Sequence, residues 1–472
     1  MKKIYKFFVI TALLLTAMVS KAQNDIALTL LPNFAYSNMY NPAIPFKSRM
    51  VIGVGVSNIN FSVFNSSIKY DNLFTFHNDG SVALDANKFI NSLKEKDNFI
   101  GSNMSMDIAR AGIRLGRLFF DVNYRMKLDA ELHYSRDFLG FFVNGNGNYL
   151  GQDNPADLSL GADISLYSEM SLGLQYRITD KLYIGVRPKV LIGFANLSLN
   201  DDGTKIYTDE DTYEMTADVN LNIEAATLLN IDDIHSLSDF STYFEKMDTI
   251  IMESIFDIQE NVGFGIDFGF SYEFNKHFGI AAGVYDLGYI TWKHTKVKQC
   301  HKENIVVNDA LFNSFDDVMN MNIDFSELYT TMVDEVWGND SLYTGGEYKT
   351  SLKTRLMLQG YFQLNKLARF TAIGQMYYLN NEYRPALTLA YSGSIFRLLN
   401  VTASYTMSEY SGNSIGAGIG INFGPLNVYA VTDNIMIASK YNASPMEMLT
   451  SFDSANIRVG LLFTFGNKSK RR

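Results

Sequence analysis

Asn456-Ile457-Arg458-Val459-Gly460-Leu461-Leu462-Phe463-Thr464-Phe465 is the stretch whose reading decides the fold. Ile457, Val459, Leu461, Phe463 and Phe465 fall on one face of an extended chain; Asn456, Arg458, Gly460, Leu462 and Thr464 fall on the other. One face suits lipid or a core, and the other suits water. About 10 residues are enough for a tilted strand to cross a bilayer. A strand of this kind near the end of the chain is what a closed barrel needs to seal its seam, because an open edge in hydrocarbon leaves backbone groups unpaired. The rest of the chain is therefore expected to form the wall that this strand closes.

Composition agrees. The chain has 472 residues, of which 14% are aromatic and only 19% charged. That is too apolar for a disordered chain, yet no stretch beyond the N-terminus is apolar enough for a transmembrane helix. Thirty-four glycines with only 8 prolines suit a strand-rich protein. The lone cysteine, Cys300, rules out an intramolecular disulfide and argues against a cysteine-based metal site. A net charge of −10 argues against a nucleic-acid partner.

Residues 1–22 read as an export signal. Lys2, Lys3 and Lys6 precede an apolar run from Phe7 to Val19, and Ser20-Lys21-Ala22 ends in small residues suited to cleavage before Gln23. The division expected is a signal peptide at 1–22, an N-terminal lumen segment at 23–48, a transmembrane barrel with long loops at 49–466, and a basic tail at 467–472. Export without a spanning helix leaves the periplasm, the outside or an outer membrane, and the strand pattern below selects the outer membrane of a Gram-negative cell as the destination expected.

Strand-like runs cover residues 49–63, 103–115, 118–134, 158–178, 181–199, 213–226, 262–274 and 278–292, and a dense meander follows from 349. In the first run the apolar phase shifts between Val56 and Ile59, which places a bulge near Ser57-Asn58. Gly116-Arg117, Thr179-Asp180 and Asn275-Lys276 are short links; the other connections are longer and polar. Short turns on one side and long loops on the other are the habit of outer-membrane barrels. The fold class expected is all-β, an antiparallel transmembrane barrel of about 14 strands, within a range of about 12–16, with short helices in its loops. A soluble β-sandwich is the competing architecture, but its strands average about 5–6 residues and these runs are longer.

Asn41-Pro42-Ala43 resembles the Asn-Pro-Ala element of the long-chain fatty-acid transporter (FadL-like) barrels, and the type IX secretion shuttle barrels carry a similar element. The overall arrangement is also similar to uncharacterised outer-membrane barrels of gliding and gut Gram-negative bacteria. Leu31–Tyr40 stands where those families place a helix rich in Ala and Gly. The resemblance implies a hatch inside the barrel and passage of small hydrophobic molecules. Read without it, Asn41-Pro42 is a plain turn. Phe463 and Phe465 resemble the aromatic terminal signal read by the barrel assembly machinery.

Residues 308–337 carry the longest helical pattern. Phe315, Phe325, Leu328 and Met332 recur on one face, a candidate gate over the lumen or a helix packed within an external loop. The six histidines are scattered, and no carboxylate spacing matches a calcium loop. No catalytic, metal-binding or cofactor-binding residue is assigned. The partners expected are outer-membrane lipid, the assembly machinery and a hydrophobic small-molecule ligand. The alternative function is a non-transport barrel that serves as scaffold or partner in a secretion or surface complex.

Overall fold

The computed structural model describes residues 26–466 except 32–33, 47, 67–69, 77–81, 202, 228–260, 294–295, 308–342, 345, 366, 380–381, 397, 409–412 and 435–453. The expected export signal, the candidate gate residues Phe315, Phe325, Leu328 and Met332, and the basic tail lie outside the described residues.

Fourteen long strands form a closed antiparallel barrel. In chain order they are β1 (Met50–Asn65), β2 (Asn98–Leu115), β3 (Leu118–Tyr134), β4 (Leu160–Arg177), β5 (Leu182–Asp201), β6 (Val262–Glu273) and β7 (Phe278–Trp292). They continue as β8 (Thr354–Gln363), β9 (Arg369–Leu379), β10 (Glu382–Ile395), β11 (Leu399–Ser408), β12 (Ser414–Phe423), β13 (Leu426–Asn434) and β14 (Ser454–Phe465). Each pairs with its neighbour in sequence. The seam closes where Met50 of β1 faces Phe465 of β14 on one side and Ile113 of β2 on the other. No edge is left to lipid, as a spanning sheet requires.

The alternation read in β14 is realised in space. Ile457 and Val459 are exposed on the outer face, at 57% and 41%, whereas Arg458 and Leu462 are buried inside. Neighbouring strands share this phase: Phe264, Phe268, Leu287, Leu358, Leu389 and Ile419 make an apolar outer belt. At the end with the short turns, Phe274, Phe278, Phe370, Phe396, Phe423 and Phe465 are exposed together, and Phe278 and Phe362 approach to 4.8 Å. Such a ring of aromatics marks a membrane–water boundary.

The bulge in β1 is present. Pairing shifts between Ile52 and Asn58 on the β14 side and between Val54 and Asn58 on the β2 side, and Gly55 has a φ of +70° that suits glycine.

Two departures from the sequence reading have physical causes. The meander expected from residue 349 does not open on a single strand over 349–364. The run breaks into Tyr348–Ser351 and β8, and Leu352 between them packs with Tyr167, Leu191 and Trp292. In addition, Lys296–Val307 is a strand that its sequence conceals, because its mostly polar side chains do not alternate. It pairs with Met215–Thr227, and that strand pairs in turn with residues 195–201 of β5. This ribbon prolongs the wall past its outer rim, where no lipid face is required. Beside it, Phe141 of the helix Arg136–Asn144 packs on Ala156, Leu158, Ile206, Ala217 and Val219.

Candidate functional site

Inside the barrel lies the chain's own N-terminal part. The described residues of 26–46 are almost all buried, although among them the segment holds only two one-turn helices, α1 (Ala27–Leu30) and α2 (Ser37–Tyr40). An irregular segment can lie at membrane depth when protein covers its backbone. Its apolar side chains meet apolar positions on the inner wall. Leu28, Leu31, Phe34, Tyr36 and Met39 form one cluster with Val51, Phe119, Val431 and Leu462. Ile26 and Leu30 form another with Met357, Ile373 and Ala390. Burial of each such side chain is worth about 1.5–3 kcal/mol.

Asn41-Pro42-Ala43 sits at the turn of this plug. Asn41 is fully buried; its Oδ1 accepts from the Ala43 amide at 2.8 Å, and its Nδ2 donates to the carbonyl of Ala282 at 3.2 Å. The Pro42 carbonyl accepts from Gln175 of β4 at 2.9 Å. The wall makes room with glycine: a Cβ at Gly185 would strike Pro42, and one at Gly269 would strike Asn41. Phe463 and Phe465, by contrast, lie on the outer face of β14.

Polar anchors fix the plug. Asp121 of β3 lies between two buried guanidiniums, Arg110 of β2 and Arg187 of β5. Arg110 donates to the carbonyl of Ala35 at 3.1 Å, and Arg187 to those of Asn38 and Met39 at 3.1 and 3.0 Å. Each arginine thus satisfies plug backbone that has no sheet or helix to satisfy it. Asp433 of β13 accepts from the amides of Ile26 and Ala27 at 3.0 and 2.6 Å. Tyr36 donates to the carbonyl of Ser57, in the β1 bulge, at 2.9 Å.

Beyond the plug, away from the short turns, a cavity of about 110 Å³ remains in the lumen. Arg125, Lys127, Lys189, Lys353, Arg355 and Arg458 line it, together with Asp129, Glu169, Asp267 and Asp286. Lys189 contacts Asp267 at 2.7 Å and Asp286 at 2.6 Å, and Lys127 reaches Glu169 at 3.1 Å. Arg125 is ion-paired to Asp107 behind it. The lumen thus combines apolar clusters with buried ion pairs where the plug fills it, and is charged where it does not. Among the described residues, no group of His, Cys, Asp and Glu could hold a metal ion.

Apart from Arg458, which falls on the water-suited face of the last strand, these inward charges escaped the reading of the sequence, although one signal was present. In β3, Asp121, Asn123, Arg125, Lys127, Asp129 and Glu131 recur at every second position opposite Val122, Met126 and Leu128. That alternation marks the lumen face.

The sequence profile of a family of unknown function (DUF5723) matches residues 42–433. The chain belongs to that family. No curated protein matches it in sequence. Among solved structures it is similar to a FadL homologue of Pseudomonas aeruginosa, at 8% identity and a TM-score of 0.45 over 95% of this chain and 100% of that one. It is similar to the toluene transporter TodX of Pseudomonas putida at 9% identity and a TM-score of 0.39, over 95% and 96%. For the toluene transporter TbuX of Ralstonia pickettii the values are 9% and 0.39, over 91% and 93%.

Proposed function

We propose that this protein is an outer-membrane channel for small hydrophobic molecules, held closed by its own N-terminal segment. One observation carries the reading: the plug seats apolar side chains on apolar patches of the inner wall. A water-filled barrel has a polar interior. Here Val51, Phe119, Met357, Ile373, Val431 and Leu462 turn inward and pack against plug side chains that include Ile26, Leu28, Leu30, Leu31, Phe34 and Phe46. If the plug shifts, a greasy surface opens, and a hydrophobic solute is the occupant that recovers the lost burial. Spontaneous release is opposed by the same burial and by the arginine anchors, so opening needs a solute or partner that favours the displaced state.

The test is removal of residues 26–46 and reconstitution in lipid vesicles. Uptake of an uncharged hydrophobic dye should rise above that of the intact protein. Unchanged uptake, with the barrel still folded, would overturn the reading. The scaffold alternative draws on the ribbon of Met215–Thr227 and Lys296–Val307, which projects past the wall; it calls for a protein that co-purifies with the intact chain and is lost when the ribbon is removed.

A further inference from the structure

We propose that two neighbouring short turns, residues 364–368 and 396–398, form a one-sided anchor that sinks into the phospholipid layer, while the turns across the barrel stay in water. The first joins β8 to β9 and the second joins β10 to β11. Leu364, Leu367, Phe396 and Leu398 are exposed there, and they continue the apolar outer face beyond Phe370 and Ile395. Across the barrel, after β2 and β4, that face ends at Leu115, Leu118 and Ile178, and the turn tips are Gly116-Arg117 and Thr179-Asp180-Lys181. The Asp180 side chain is 92% exposed. An ionised carboxylate in that position suits water and not lipid.

Two observations select lipid as the occupant. The first is that the turn after β8 leans over the lipid-facing wall. Gly393 shares the outward phase of β10 with Tyr391 and Ile395, yet it is buried, and a Cβ there would lie 2.2 Å from the Leu367 carbonyl oxygen. Tyr391 donates to that oxygen at 2.6 Å, and the Phe370 and Tyr391 rings lie 5.8 Å apart. The amides of Leu364 and Asn365 donate to the Ala368 carbonyl, the Leu367 amide donates to the Asn365 side chain, and the Leu398 carbonyl accepts from the Asn422 amide. Main chain satisfied within the protein can enter a medium that lacks water. The second observation is Phe396 itself. It is 94% exposed and has a φ of +51°, a region that a bulky residue enters only at a cost. A strained turn that keeps an aromatic ring exposed gains from a medium that buries the ring. The sequence places Lys366 and Arg397 beside these residues, and long basic side chains reach from such a depth to headgroup phosphates.

The anchor does not depend on what the lumen passes, so either reading can fail alone. The test reconstitutes the full-length protein in vesicles of phosphatidylcholine with phosphatidylglycerol. Spin labels are attached to Leu367→Cys, Phe396→Cys, Arg117→Cys and Asp180→Cys, one at a time, in a Cys300→Ser chain, and are relaxed by oxygen or by a water-soluble nickel chelate. Labels at 367 and 396 should respond more to oxygen, and labels at 117 and 180 more to the chelate. A preference for the chelate at all four overturns the proposal and leaves the patch to a partner in the aqueous phase. A preference for oxygen at all four also overturns it, because the boundary would then be level. Phe396→Gly suits the left-handed φ and so preserves the turn. Combined with Leu398→Asn, it should shift the label at 367 toward the chelate while the heat-modifiable gel migration of a folded barrel is kept. An unshifted label in that folded variant would overturn the anchoring assigned to Phe396 and Leu398.

Discussion

Arg187 of the wall donates to the main-chain carbonyl of Asn38 in the plug at 3.1 Å and, through Nη2, to the Asn38 side-chain oxygen at 3.1 Å. The same Nη2 contacts Asp121 at 3.1 Å, so one carboxylate orients the arginine that holds the plug. Breaking a buried ion pair from one side costs about 3–5 kcal/mol, because the remaining charge stays buried. Asp121→Asn should therefore loosen residues 26–46 while the fourteen strands persist. Limited proteolysis should cleave the plug at least about tenfold faster, with an unchanged circular dichroism spectrum. Equal cleavage rates would show that the triad does not anchor it.

Adjacent residues of β14 give a second expectation. Val459 faces outward, and its pairing to Ile59 and Ala430 places it mid-strand; Arg458 faces the lumen. A lipid-facing arginine near midplane costs about 2–4 kcal/mol. Val459→Arg should lower stability by that amount in refolding titrations from lipid vesicles, and Arg458→Val by less. The reverse order would invert the assigned faces.

How much of this could be read from residues alone depends on what each strand faces. β14, β3 and β7 were legible because one side meets lipid and the other does not, so apolar and polar residues must alternate. Lys296–Val307 was not legible, since water surrounds the ribbon and sets no such pattern. The plug was marked only by Asn41-Pro42-Ala43. Its partners are far away in sequence: Gln175, Arg187 and Ala282 meet it only after the barrel closes. Local patterns cannot reveal pairings of that range.

The loop unit on the outer rim should respond to acid. Asp157 pairs with Lys96 at 2.7 Å. Burial alone would raise the Asp157 carboxyl, but hydrogen bonds from Lys96 and Ser159 outweigh it and hold the group below its ordinary value. A depressed carboxyl contributes stability above the unfolded value of about 3.9 and loses it as pH falls through the folded value. Hydrogen exchange in the helix Arg136–Asn144, corrected for the intrinsic pH effect, should stay slow near neutral pH and accelerate below about pH 4. Asp157→Asn should flatten that acid response. An acid response that survives in the variant would assign it to other groups.

The plug's fit against glycine yields the most direct test of closure. Gly185 and Gly269 face the Asn41-Pro42-Ala43 turn so closely that an added Cβ at either would overlap plug backbone or the Asn41 side chain. Neither position has a φ in the left-handed region, so the backbone tolerates a larger residue and the conflict is with the plug alone. Gly185→Val and Gly269→Val place branched side chains, which strands favour, at those points. Two responses are open to the molecule. The wall can deform, which breaks ladder hydrogen bonds on both sides, or the turn can move, which loses the Gln175 and Ala282 contacts and part of the apolar burial. The second is the smaller disruption, because the plug is held by side chains and the wall by continuous ladders. Each variant should keep the heat-modifiable gel migration of a folded barrel and pass more solute in vesicles than the unmodified protein. The double variant should resemble the version lacking residues 26–46. Folded variants with unaltered passage would mean that displacing this turn does not open the lumen, and closure would then rest on other parts of the chain.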